Sequence, residues 1–318
     1  MSYSKGANLP GQSASKLGHL AVIQSDWVRS LVSEFDKVEP QKEDPSNTLW
    51  KAFDRTGVIP LRNVWAVDGS FVSIKSEQKP PREMAFVKTA LLAVDRVRLE
   101  AIDKENPHPL LLQDVLTGSA VFHATVFPLN NVRTPLGSNY DAVRHIVRDS
   151  LKIDEGGAFY ETLKWLSYRK WDKTIKSPSP SFFCPHCHED MVQGLPYDCD
   201  EGTCPNPKCK KIVFLTDMIG FHLDMDEDSA PDSVASAYML VMEHIMLFTA
   251  IRVLWGHTDK SLVSDTLFIK DGPLTLRSQY SKLVPNIRKF LQYAKDIGRH
   301  IHVVGQEKSG AFFDHLSS

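Results

Sequence analysis

At 318 residues the chain is long enough for one large domain or two ordinary ones. Its hydrophobic share of 42% and charged share of 24% are those of a globular protein. With 37 basic and 39 acidic residues the net charge is −2, which excludes a global electrostatic pull toward nucleic acid, so any such binding must come from local patches.

No secretory leader is expected, because residues 1–18 are polar and rich in Ser and Gly. The most membrane-like window, residues 237–255, contains Glu243, His244 and Arg252 and predicts a buried helix, not a span. The expectation is therefore a cytoplasmic protein without a membrane segment. All five cysteines lie between Cys184 and Cys209, a clustering that in such a chain favours metal over disulfides.

Residues 1–20 read as a loose arm. Ser25-Asp26 is a helix start, followed by Trp27, Val28, Leu31, Val32 and Phe35 at helical spacing. That stripe suits core packing, with a partner-docking face as the other reading. Residues 39–47 form a polar linker. Val64-Trp65-Ala66-Val67 is an apolar run closed by Asp68-Gly69-Ser70. It predicts a buried strand that ends on a carboxylate, with residues 71–75 returning as a hairpin partner. A strand end holds a metal-binding carboxylate fixed while the loop leaves it open. Asp-Gly is also a hairpin signal, and in that reading Asp68 only shapes a turn.

Residues 85–99 and 119–129, rich in Val, Phe, Thr and Ala, predict further strands. Residues 141–151 and 161–171 predict helices. The second carries Lys164, Arg169 and Lys170 among Trp165, Tyr168 and Trp171, with Lys173 and Lys176 just beyond. Cations interleaved with aromatics suit single-stranded nucleic acid. The alternative is a solvated face over a core stripe.

Ser177-Pro178-Ser179-Pro180-Ser181 opens an insertion. Cys184-Pro185-His186-Cys187 and Cys204-Pro205-Asn206-Pro207-Lys208-Cys209 resemble the two knuckles of a zinc ribbon, the second with a longer spacing than usual. Cys199 could replace one of the four, and His186 or His188 could compete. A closed four-thiolate site is structural, so no catalysis is expected there. Lys208, Lys210 and Lys211 on its rim are candidates to touch DNA or a partner. Residues 212–223 read as a strand returning to the main sheet. Residues 224–228 read as an exposed acidic loop without EF-hand spacing. Pro231 opens a helix.

On that helix Glu243 has Met239, Leu240, Met246 and Leu247 as its i−4, i−3, i+3 and i+4 neighbours, all apolar. A carboxylate on such a face must be neutralised, paired or metal-bound. His244 is a possible hydrogen-bonding partner. Leu267-Phe268-Ile269-Lys270-Asp271-Gly272 repeats the form of the first strand. Two strands ending in Asp-Gly would bring Asp68 and Asp271 to one sheet edge, and with Glu243 they make a carboxylate set for Mn²⁺ or Mg²⁺, which prefer such oxygens. Residues 280–298 predict an amphipathic helix with a C-terminal Gly. Residues 300–304 predict a strand running into Lys308, placed to contact a phosphate or else to sit in a surface turn.

Taken in order, Val-Trp-Ala-Val-Asp-Gly-Ser, the helical glutamate, Phe-Ile-Lys-Asp-Gly-Pro-Leu and Val-Val-Gly-Gln-Glu-Lys-Ser resemble the NurA nuclease family over residues 60–312. The resemblance implies an α/β, RNase H-like mixed sheet flanked by helices, here with an inserted zinc-ribbon subdomain. It implies a Mn²⁺-dependent, dimeric DNA nuclease that works with a HerA-type hexameric ATPase in DNA-end processing or defence. Carried onto this chain, Asp68, Glu243 and Asp271 are the metal-binding carboxylates and Lys308 the lysine of the site. The ribbon insertion is not a general family feature. The family also places a site histidine further toward its C-terminus, and His315 stands too close to Lys308 for that role. A fragment, a site completed differently, or an inactive subunit that binds DNA and the ATPase therefore stand beside the active enzyme. A zinc-ribbon nucleic-acid binder with structural carboxylates is a third expectation. The implied organisation is an arm and helix over 1–48, a core over 49–178 and 215–318, and the ribbon over 179–214.

Overall fold

In the computed structural model the described residues are 61–95, 120–225 and 232–307, with single positions among 30, 54–58, 100–111 and 230. The chain divides into two units, Met1–Ile59 and Pro60–Ser318, and the sheet and its helices belong to the second. Of the expected helix at residues 27–35 only Ser30 is described, and it is helical; Pro231, Lys308 and His315 lie outside the described residues.

Five strands form one mixed sheet. They are β1 (Asn63–Lys75), β2 (Glu83–Asp95), β3 (Ala120–Asn130), β8 (Thr266–Asp271) and β9 (His302–Gln306), in the order β3-β2-β1-β8-β9. β2 runs antiparallel to β1 and β3, whereas β1, β8 and β9 are parallel. Helices α1 (Asn139–Ile153), α2 (Ala158–Ser167) and α3 (Ser233–Gly256) precede β8, and α4 (Val284–Asp296) joins β8 to β9.

Period-two alternation decides which residues meet the helices. From β1 to β3, Val67, Val87, Leu91, Phe127 and Leu129 are buried in the common core with α1 and α3. On the opposite face Val72, Phe86 and Val126 stand in one row across three strands and remain 54%, 42% and 39% exposed. The long helix α3 is apolar on every side, as a helix enclosed by protein must be. Although long and apolar enough to cross a membrane, it has 83% of its most apolar window buried, which makes it the core helix that its internal charges predict.

The expected strands at 85–99 and 119–129 correspond to β2 and β3. The first strand, however, does not end at Asp68. β1 continues for seven residues past it, paired with β2 down to Lys75↔Glu83. The Asp-Gly pair is no turn because Gly69 serves a packing need instead. A Cβ at Gly69 would stand 2.6 Å from Met239 Cγ and 2.7 Å from Glu243 Oε1, so its absence is what lets α3 lie against β1. The second Asp-Gly does end its strand, with Gly272 at φ +78° in the left-handed region.

Residues 212–223 also differ from expectation. Only Ile212–Phe214 (β7) is extended, and it pairs with β6 (Glu201–Thr203), not with the main sheet. The Asp217 carboxylate accepts from the Phe214 amide at 2.8 Å and turns the chain into short helical turns. Together with the hairpin of β4 (Phe182–Phe183) and β5 (Asp190–Met191), these strands form a small subdomain around the cysteines.

Candidate functional site

Parallel pairing between β1 and β8 runs from Asn63↔Thr266 to Val67↔Lys270. The next residue on each strand is an aspartate, Asp68 and Asp271. Inward burial alternates along β8, with Thr266, Phe268 and Lys270 buried, so Asp271 belongs to the other face. Asp68 follows the buried Val67 and is exposed. The two carboxylates therefore share a face where β8 stops and β1 overhangs it. Asp68 Oδ1 accepts from the Gly69 amide at 2.8 Å, which fixes its direction.

Beneath them, on the helix side, lies a partner that the sequence reading did not assign. Lys270 is 1% exposed, and its Nζ stands 2.6 Å from Glu243 Oε2 while donating to the Asp271 carbonyl at 2.5 Å. Burial holds the Glu243 carboxyl above the ordinary range against the pull of Lys270, and the charges of Asp68 and Asp271 push it the same way as burial. A signal for Lys270 was present in the sequence: two residues after Phe268 on a strand, it must share the face of Phe268.

His244 is not the partner of Glu243. Its Nδ1 lies 2.8 Å from the Leu240 carbonyl and its Nε2 3.3 Å from that of Leu274. Burial lowers its pKa, and the nearby Lys270 charge adds to that effect.

The three carboxylates are not a closed cage. Among the described residues, only Cys184, Cys187, Cys204 and Cys209 form a group of His, Cys, Asp or Glu ligand atoms within 4.8 Å of one another. Sγ of Cys184 and Cys209 are 3.9 Å apart, and those of Cys187 and Cys204 3.5 Å. A tetrahedral zinc–thiolate site requires about 3.8 Å between sulfurs, given its usual bond length. The quartet is close to that spacing and could bind such a metal through all four thiolates. Cys199 is not one of the four; its carbonyl accepts from the Tyr168 hydroxyl. His186 is directed to the Ile212 carbonyl and Arg144.

The ribbon is docked by charge. Arg144 grips Asp217 through Nε and Nη2 at 2.9 and 2.8 Å in a buried bidentate pair. Lys164 meets Asp198 and Asp200, both at 2.8 Å, and Lys170 meets Asp198 at 2.6 Å. This removes base stacking, and Lys164 and Lys170, from the nucleic-acid reading of residues 161–176. Trp165, Tyr168 and Trp171 are core residues, and two of the cations hold the ribbon. Lys208, Lys210 and Lys211 are exposed on the ribbon rim.

Comparison with protein-family models, curated proteins and solved structures gave no match.

Proposed function

We propose that this chain is a metal-dependent deoxyribonuclease with an RNase H-like core and a structural zinc ribbon, similar in kind to the NurA nucleases. The observation that carries the reading is the register of two parallel strands, which sets Asp68 beside Asp271 where β8 ends. Ligands of open α/β sheets collect at such carboxyl ends. The sheet order, with antiparallel β2 and parallel β1, β8 and β9, supports the RNase H-like expectation.

Asp68 and Asp271 would hold Mn²⁺ or Mg²⁺, for which an all-oxygen donor set on rigid strands is suited. A bound ion would activate water and neutralise charge on the phosphodiester. Glu243, held by Lys270 on the helix side, would join the metal site only if the ion displaced that lysine, and Lys308 belongs to the proposal as a phosphate contact. DNA as substrate, a HerA-type ATPase as motor, a homodimer and a cytoplasmic setting complete the reading.

A second reading is a non-catalytic, nuclease-like subunit that binds DNA and the ATPase. The ion pair favours it, because Lys270 already supplies a counter-cation to one of three carboxylates. A cleavage assay on linear DNA separates the two. The enzyme reading expects degradation with Mn²⁺ or Mg²⁺, none without, and a loss of at least about a hundredfold in Asp68→Asn. Retained metal-dependent cleavage in that variant would remove Asp68 from the site. No cleavage by the wild type, even with the motor ATPase added, would leave the non-catalytic subunit.

A further inference from the structure

The α2 helix ends in a way that needs an explanation. The Lys170 amide returns to the Trp165 carbonyl at 3.0 Å, the long closing bond of a Schellman turn. The residue such a turn holds in the left-handed region is usually glycine. Here it is Arg169, at φ +56°. A side chain there is strained, and strain of this kind clusters at functional positions.

The Arg169 side chain leads to the same place. Its Nε is buried and has no hydrogen-bond partner. It lines a cleft of about 600 Å³ between the Ser177–Ser181 linker and the start of α4. Lys282 and Lys289 are the other cations of the lining, and Ser181 and Ser278 supply hydroxyls, whereas the Ser177 hydroxyl donates to the Tyr168 carbonyl at 3.3 Å. No carboxylate lines it. Among the described residues none of the three cations forms an ion pair. Asp172, outside the lining, accepts from the amide and hydroxyl of Thr174 at 3.0 and 2.6 Å, and these bonds, with a smaller pull from the Arg169 charge, lower its pKa.

Three cations, two hydroxyls and a buried guanidinium nitrogen without a hydrogen-bond partner, in a cleft that no carboxylate lines, describe an anion site. Guanidinium and hydroxyl donors match a phosphate more closely than a bare halide. The wall formed by Ser278, Ser281 and Pro285 is shared with an apolar cavity of about 630 Å³, which reaches His244 and Leu274. Those two residues lie beside Glu243 and just after Asp271. A ligand with a phosphate and an apolar, planar part suits the pair of cavities.

We propose that the Arg169–Lys282–Lys289 cleft is a phosphate-binding subsite for a single nucleic-acid strand. The identity of the strand rests on the nuclease reading; the anion chemistry does not.

The test is the affinity of the full chain for a labelled single-stranded oligodeoxythymidylate, without added divalent metal, over a range of salt. Glycine is the residue the turn itself prefers, so Arg169→Gly should fold at least as well as the wild type by thermal denaturation. It should nevertheless bind the oligonucleotide roughly tenfold more weakly, as expected for one charge-assisted contact. Its log–log salt slope should be shallower by about 0.7, and Arg169→Lys should recover part of the loss. Lys282→Met with Lys289→Met should flatten the slope further. An Arg169→Gly protein with wild-type affinity and slope overturns the proposal. So does competition by inorganic phosphate with oligonucleotide affinity unchanged in every variant, which would mark a lone-anion site. Cleavage retained by Asp68→Asn bears only on the nuclease reading, whereas binding in the absence of divalent metal bears only on the cleft.

Discussion

At the scale of single residues, the pairing of Glu243 with Lys270 decides most. Each is nearly inaccessible, so each is tolerable only because of the other. Lys270→Met should cost on the order of 3–5 kcal/mol in urea denaturation, because it strands a buried carboxylate. Adding Glu243→Leu to that variant should recover most of the loss, since two apolar groups in contact need no counter-charge. A Lys270→Met protein that loses less than about 1 kcal/mol would mean that water reaches the carboxylate. Glu243 itself was legible, because four apolar neighbours on its helix face required a partner. The identity of the partner was obscured by the attention that Asp-Gly draws to Asp271, one residue later. Asp68 was misplaced for a related reason. Whether Asp-Gly turns or continues depended on Gly69 meeting Met239, a contact with a helix far away in sequence.

At the scale of elements, β2, β3, β8, β9 and the four described helices lie within a few residues of where periodicity places them. The errors cluster where side chains, not periodicity, set the path. Asp217 converts an expected strand into turns, and the Schellman closure stops α2 at Ser167. The segment that Asp217 organises, held to α1 by Arg144, also makes the fold sensitive to acid. His222 packs edge-on against Tyr140 of α1, with ring centroids 5.0 Å apart. Burial lowers its pKa from 6.5 to about 4. The unfolded chain thus takes up the proton first as pH falls, and stability drops between those two values, by roughly 3 kcal/mol in full. Above the unfolded value the contribution is constant. His222→Phe should flatten this part of the stability profile measured by denaturation between about pH 7 and pH 4. An unchanged profile would place the acid sensitivity in the carboxylates instead.

At the scale of the whole molecule, the cysteine quartet was the most legible feature, because paired knuckles need no tertiary information. What sequence could not supply was where the ribbon sits, since that depends on Lys164, Lys170 and Arg144 meeting aspartates from another segment. Purified protein should carry one zinc per chain by metal analysis, and Cys204→Ser should lose it whereas Cys199→Ser should not. Zinc in full amount in Cys204→Ser would remove the quartet. The junction of β1 with β8 has a further meaning in time. The antiparallel β1–β2–β3 ribbon can form from local contacts as the chain leaves the ribosome, but β8 is made long afterwards, and closing so distant a pair is slow. Asp68 therefore waits, exposed and alone, until Asp271 arrives. A chain still being synthesised would hold one aspartate of the pair, so the activity proposed above could not begin before β8 is in place.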